Sequence, residues 1–427
     1  MQVRMNYGRD GLALDLPDAW EVDLIEKKEM PVEPDPDQCI RGALEDPIGS
    51  RPLAEEAEGK RSACILICDI TRPVPNGRIL PPIVRTLLAS GMAPSDIQVL
   101  IATGLHRPNL GEEMHEVVGS EWVMETVKVA NHYARNDEDH VHLGRTARGT
   151  EVLLDRRFAE ADLKLAVGLV EPHLMAGYSG GRKVITPGIC HQRTIRRLHA
   201  ADIMEHPKAT NCILDGNPLH EEQLEIAALL GPVLGVNAVI DPERRLSFVN
   251  FGGIVDSHLA AVEFMREYAE VHLPRPYRTV VTSSAGYPLD KTYYQTVKGM
   301  VAAQEILESG GDMFIVSEIS EGMGSPQYLE AQQLLTELGT SGFLQEIQGR
   351  DQARVDEWQT EMQLKPMRKG QIHLFTRGLE KAEHSLTGVN VIDDMDALMQ
   401  AVKDSVGSEN RLAVIPEGPY VLPFVRS

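Results

Sequence analysis

Basic side chains, cysteines and aromatic rings are all scarce in this sequence. Its 427 residues hold 42 Lys and Arg against 63 Asp and Glu, a formal net charge of −21. A nucleic-acid groove or a contact with an anionic membrane needs clustered cations, so both are excluded as partners. A small anion is not, because a pocket can be basic inside an acidic shell. The 5 cysteines are odd in number and form no close Cys-x-x-Cys pair. That pattern fits reduced thiols and a cytoplasmic setting. Aromatic residues make up only 5% of the chain, too few for a binding surface built on Tyr and Trp. No apolar run reaches the roughly 18 residues that a membrane span requires. The N-terminus has no basic segment followed by an apolar one, so no signal peptide is expected. Also missing are a G-x-G-x-x-G turn, a P-loop, an H-E-x-x-H helix and any Cys-rich zinc spacing.

What is present is aliphatic α/β sequence. Hydrophobic residues reach 42%. Three alternating segments in the first 27 residues (2–7, 12–16 and 20–25) read as a small antiparallel element. Residues 29–60 are acidic and proline-rich, as loops and short surface helices are. From Ser62 onward, short continuous apolar runs alternate with helical stretches. ACILIC, IQVLIA and LKLAVGL are such runs, as buried parallel strands should be. VLGVNAVID and RRLSFVNFG, residues 233–252, read as a hairpin, 254–270 as an amphipathic helix. Two prolines and a change of composition mark a linker at 272–278. Beyond it a second strand–helix alternation begins with TVVTSS and ends with RLAVIP. The expected fold is therefore α/β, with two domains of largely parallel sheet, residues 1–272 and 273–427. The last strand is assignable to either domain. The active site is expected in the cleft between them.

Ligand sites in such sheets lie beyond the carboxyl ends of the strands. Four strand ends here carry polar, ionisable groups. Asp69, Thr71 and Arg72 follow ACILIC. Thr103 and His106 follow IQVLIA. Glu171 and His173 follow LKLAVGL. After TVVTSS, a helix carries Tyr294, Gln295 and Lys298, with Gln295 and Lys298 three residues apart on one face. Histidine is the side chain suited to general acid/base work near neutral pH. Two of them at different strand tips, His106 and His173, can face opposite sides of one substrate carbon, as a racemase or epimerase requires. The segment Gly177-Tyr178-Ser179-Gly180-Gly181-Arg182-Lys183 can cradle an anion with its backbone and two cations. Lys183 is a candidate for a covalent link. His199 lies on a predicted helix, three residues before Asp202, and could ligate a metal.

These motifs — DITRP, ATGLHRP, EPHLMAGYSGGRK, LHAADIMEHP and YYQTVKGM, in one collinear order — resemble the nickel-dependent lactate racemase family, whose members include racemases and epimerases of other 2-hydroxy acids. The resemblance implies a nickel-pincer nucleotide, a pyridinium mononucleotide whose sulfur groups and one ring carbon hold nickel. It implies Lys183 as the residue that bears this group, His199 as the nickel ligand, and His106 and His173 as the acid/base pair. By the same resemblance, Asp69, Thr103 and the Ser179, Gly180, Gly181, Arg182 loop hold the cofactor's ribose and phosphate. Arg72, Tyr294, Gln295 and Lys298 hold the substrate. The implied reaction takes a hydride from Cα to the cofactor while a histidine takes the hydroxyl proton. Lactate heads the substrates; malate, 2-hydroxyglutarate, aryl-lactates and sugar acids follow. Maturation enzymes that build the cofactor are implied partners. A nicotinamide-dependent dehydrogenase and a non-catalytic metabolite-binding relative remain the alternatives.

Overall fold

A computed structural model describes residues 1–426. Twelve strands build two six-stranded sheets. In chain order they are β1 (Glu21–Leu24), β2 (Ala63–Cys68), β3 (Ile97–Ala102), β4 (Lys128–Asn131), β5 (Leu163–Leu169) and β6 (Leu234–Ile240). They continue with β7 (Leu246–Gly253), β8 (Tyr277–Ser283), β9 (Leu307–Val316), β10 (Gln371–Phe375), β11 (Asn390–Ile392) and β12 (Arg411–Ile415).

The chain divides into two compact units, one formed by Glu29–Leu198 with Leu214–Glu267, the other by Met1–Lys28, His199–Ile213 and Tyr268 onward. They are termed the N-terminal and C-terminal units. The sheet of the N-terminal unit runs β7-β6-β5-β2-β3-β4. All its pairings are parallel except β6 with β7, which form the expected hairpin. The apolar runs predicted as buried strands are buried on both faces: Ile65 and Ile67, Val99 and Ile101, and Leu165 and Val167 share one core with the helix Asn76–Ala89. Burying one such side chain stabilises the fold by about 1.5–3 kcal/mol.

The sheet of the C-terminal unit runs β11-β10-β9-β8-β12-β1 and is parallel throughout. Its composition corrects the expected division at 272/273. Residues 1–28 are not part of the N-terminal unit. Gln2–Met5 and Leu12–Asp15 do form an antiparallel pair. The third alternating segment instead becomes β1 and bonds parallel to β12, Glu21 opposite Arg411. Val3, Met5, Leu12 and Leu14 then bury against Val281, Phe314 and Phe375. An alternating strand shows which face is buried but not which strand it will pair with. The last strand, β12, lies between β8 and β1, which settles its unit. The expected helix through ILES also stops early: it ends at Ala303, and Leu307 opens β9.

Gly168 in β5 links the N-terminal sheet to the Gly-rich segment. A Cβ there would lie 2.8 Å from Val184 Cγ2 and 2.9 Å from the Cα of Gly180. Only a residue without a side chain lets that loop rest on the strand. Gly168→Ala should destabilise the protein by about 1–3 kcal/mol, as overpacking does, in urea unfolding. Gly42, a helical glycine whose added Cβ would meet nothing within 4 Å, is the control. Gly42→Ala should be neutral or stabilising by up to ~1 kcal/mol.

Candidate active site

The strand order of the N-terminal sheet assembles the predicted groups. β2 is central, with β3 on one side and β5 on the other. The order reverses between β2 and β5, the position where α/β sheets open a crevice at their carboxyl ends. Residues following these three strands therefore stand in a row: His106 after β3, Asp69 and Arg72 after β2, Glu171 and His173 after β5.

Asp69 is 5% exposed. Its Oδ1 accepts the Thr71 backbone N–H at 3.2 Å and the Thr71 hydroxyl at 2.5 Å. Its Oδ2 lies 2.6 Å from His106 Nδ1. Burial alone would raise the Asp69 carboxyl, but His106 and then Thr71 outweigh it and hold it below the usual range. The His106 backbone N–H donates to the Thr103 carbonyl at 2.9 Å, which sets the loop. Arg72 forms an ion pair with Glu171. Pro172–His173 pairs antiparallel with Gly177–Tyr178. The turn between them directs the Met175 and Ala176 backbone N–H groups onto His173 Nδ1, at 3.3 and 3.2 Å.

Arg182 is the largest fully buried side chain of the protein, 1% exposed. Its guanidinium donates to the carbonyls of Ala176 and Tyr178 at 2.9 and 3.1 Å. It also meets His220 Nδ1 at 2.8 Å and His258 Nε2 at 2.9 Å. Burial, reinforced by that positive charge, pushes His220 down to about 3 and His258 well below its usual value. Both rings therefore stay neutral; His220 Nδ1 accepts from Arg182, while His258 Nε2 also lies 2.8 Å from the Ser179 carbonyl.

The residues of the expected cofactor cradle also make contacts within the protein. The side chains of Asp69, Thr103, Ser179 and Arg182 are buried and bonded to protein. Thr103 donates its hydroxyl to the His132 carbonyl at 2.8 Å. Ser179 donates to the Leu169 carbonyl at 2.7 Å and accepts the Glu171 N–H at 3.1 Å. Each of these bonds helps to shape the loop that carries it. Gly181 takes φ +48°, and a Cβ there would lie 2.7 Å from His258. Lys183 follows on the short helix Arg182–Ile185 and is half-buried.

The predicted helix that carries His199 is broken. It forms as Gln192–Leu198 and Ala201–Met204, with Ala200 extended at φ −71°, ψ 154°. His199 sits in the break, so it does not share a continuous helical face with Asp202. Its ring lies 4.4 Å from that of Trp358, tilted 38°. Trp358 is 8% exposed on the helix Glu357–Lys369. Sequence reasoning missed it, as it missed His220 and His258; nothing local marks a partner so distant along the chain. The helix Tyr293–Ala303 is capped by Thr292, whose hydroxyl accepts the Gln295 N–H at 3.4 Å. Gln295 and Lys298 share a face as expected. Gln295 Oε1 is buried without a hydrogen-bond partner among the described residues, an acceptor suited to a ligand hydroxyl. The Tyr294 ring stands edge-on to Tyr328, centroids 5.1 Å apart.

No three His, Cys, Asp or Glu side chains converge as a metal site among the described residues. No helix among them is long and apolar enough to cross a membrane.

Comparison with known proteins gives consistent matches. Residues 7–211 match the family described as the lactate racemase N-terminal domain, and residues 275–422 the lactate racemase C-terminal domain. A lactate racemase of Thermoanaerobacterium thermosaccharolyticum is 29% identical over 429 residues, 98% of each chain. One from Lactiplantibacillus plantarum is 32% identical over 287 residues, 67% of each. The solved lactate racemase apoprotein from T. thermosaccharolyticum superposes over the whole of both chains with a TM-score of 0.91 at 29% identity. A Thermotoga maritima protein, 18% identical, shares the fold at a TM-score of 0.67 over 93% of this chain and 100% of its own.

The neutral histidines around Arg182 make stability depend on pH. Below about 6.5 both charge in the unfolded chain. In the native state His220 stays neutral down to about 3, and His258 stays neutral as well. The unfolded state then binds more protons, so stability falls as pH drops from about 6.5. The pair should contribute a slope approaching ~2.7 kcal/mol per pH unit, read from urea midpoints between about pH 7.5 and 5. His220→Gln, which keeps an acceptor for Arg182, should reduce that slope by ~1.4 kcal/mol per pH unit.

Proposed function

The chain belongs to the lactate racemase family, and from that premise we propose that it interconverts the enantiomers of a small 2-hydroxy acid, lactate foremost. One observation carries the proposal: the segment that follows β2 carries Arg72, and the segments that follow the strands on either side carry His106 and His173. A carboxylate anchored at the centre leaves a proton-handling group on each side of the reacting carbon. Enantiomers with a common anchor present their hydroxyls in different directions, and inverting one needs such groups on both sides.

The family's nickel-pincer nucleotide is the cofactor of this reading, and the donor set of the chain fits it. Lys183 brings a primary amine on a glycine-built loop, and His199 brings an imidazole steadied by Trp358. The want of a self-sufficient protein metal site also suits a metal held largely by an organic ligand. When bound, this group supplies the acceptor and donor of a hydride. Lys183 and His199 would hold it, and the Gly180–Gly181 backbone would let it approach closely.

The rest is the work of the chain. Arg72 anchors the substrate carboxylate by a charge-assisted bond, exchanging part of its pairing with Glu171. Lys298 adds a second cation, and Gln295 Oε1 an acceptor for the hydroxyl. A histidine removes the hydroxyl proton as the Cα hydride departs, leaving a planar 2-keto acid. Hydride returned to the other face, and a proton returned to oxygen, complete the inversion. The histidines act on the hydroxyl oxygen because the Cα–H beside a carboxylate is a poor acid.

The test is cofactor-loaded protein incubated with single enantiomers of lactate and of other 2-hydroxy acids, followed by chiral chromatography. The opposite enantiomer should appear without added nicotinamide. Inversion of none of the acids, or consumption of free NAD, would overturn the proposal. His106→Gln and His173→Gln should each lower kcat by roughly 10²–10⁴-fold. Lys183→Ala should abolish any cofactor mass retained by the denatured chain.

A further inference from the structure

Resting on the racemase reading, we infer that the resting protein holds its two acid/base histidines in opposite tautomers, His106 with a bare Nε2 and His173 with a protonated one, through Asp69 on one side and the 174–176 turn on the other. The argument is one of donors and acceptors. An ionised carboxylate only accepts, so the 2.6 Å contact with Asp69 Oδ2 places the hydrogen on His106 Nδ1. In neutral His106 the lone pair then sits on Nε2. Backbone N–H groups only donate, and two of them face His173 Nδ1, from Met175 and Ala176. That nitrogen must accept, so the hydrogen of His173 sits on Nε2.

Neither setting yields easily. Asp69 is buried, with its other oxygen taken by the Thr71 N–H and hydroxyl. The turn beside His173 is pinned from behind. Arg182 holds the Ala176 carbonyl at 2.9 Å, and the Asn217 amide donates to the Met175 carbonyl at 2.9 Å. Arg182 and Asn217 are 1% and 0% exposed. The Met175 carbonyl and the Ala176 N–H belong to one peptide, so rotating it away from His173 would break the buried bond from Asn217, while Arg182 fixes the peptide that follows.

The two sides of the site are thus unequal. A hydroxyl presented to His106 meets a base. One presented to His173 meets an N–H, which donates a hydrogen bond and cannot take up a proton. For His173 to act as a base, its hydrogen must move to Nδ1 and the 174–176 turn must give way. Asp69 is accordingly a positioning residue for His106, and Arg182 one for His173.

The tautomers are readable in apoprotein carrying ¹⁵N-labelled histidine, by long-range ¹H–¹⁵N correlation near pH 8. His106→Gln and His173→Gln each remove one ring from the spectrum and so identify it; His173→Asn serves if the glutamine variant does not fold. The expected result is a protonated Nδ1 on His106 and a protonated Nε2 on His173. The same tautomer on both rings, or a protonated Nδ1 on His173, would overturn the inference. Asp69→Asn gives a second check. The Asn carbonyl stays with its two Thr71 donors, which turns the amide NH₂ toward His106 and should move the ring hydrogen to Nε2. In loaded protein the same variant should lose roughly 10²–10⁴-fold in kcat, the consequence of a wrong tautomer. An unchanged His106 tautomer in Asp69→Asn would count against Asp69. Because the rings are read without cofactor, failure of the racemase reading shows separately, as loaded protein that inverts no 2-hydroxy acid.

Discussion

A single buried guanidinium holds the N-terminal half of the site in shape. Arg182 has two carbonyls and two imidazoles as hydrogen-bond partners. A buried charge without a balancing carboxylate is costly to desolvate, and it persists only when hydrogen bonds satisfy it. Those bonds clamp the carbonyls of Ala176 and Tyr178, and with them the turn that receives His173. They also hold the start of the helix bearing Lys183 under the glycines of the loop. Burial, and then the same charge, keeps His220 and His258 neutral, so His220 Nδ1 remains an acceptor for Arg182. One side chain therefore couples the geometry around His173, the segment that carries Lys183 and the pH dependence of stability.

Around this support the chemistry follows from strand order. Parallel pairing brings residues 69–72, 103–106 and 171–173 to one edge of the sheet, though they are up to about a hundred positions apart in the chain. β2 takes the centre because its neighbours pair on both its edges. The acidic excess of the chain does not govern this edge. Arg72, His106, His173 and Lys183 lie there with Asp69 and Glu171, and both carboxylates are already engaged, one with His106 and the other with Arg72. A net charge of −21 thus coexists with a region suited to a small carboxylate.

Much of this was legible beforehand. Buried parallel strands announce themselves as continuous apolar runs, so β2, β3, β5 and β8 were readable, and with them the positions of the groups that follow. The spacing of Gln295 and Lys298 placed both on one helical face. Other features were closed to local reading. Residues 20–25 alternate as a strand does, yet their partner is β12, nearly four hundred positions away. The break at His199–Ala200 has no proline or glycine to signal it. Asp69, Thr103, Ser179 and Arg182 look like ligand-binding residues by type and position, and the fold turns their polar atoms inward. Trp358 reached His199 without any motif to mark it.

The division has a physical reason. Residue types, their periodicity and their place after apolar runs are properties of the chain within a few residues. They determined the α/β class, the inventory of acids, bases and cations, and the strand tips that carry them. Hydrogen-bond partners are chosen across long separations, by packing and by the requirement that every buried donor and acceptor be satisfied. Only the tertiary structure decided that Asp69 faces His106 instead of a ligand, that Arg182 braces a turn, and that two identical imidazoles meet opposite neighbours, a carboxylate at one and a pair of amides at the other.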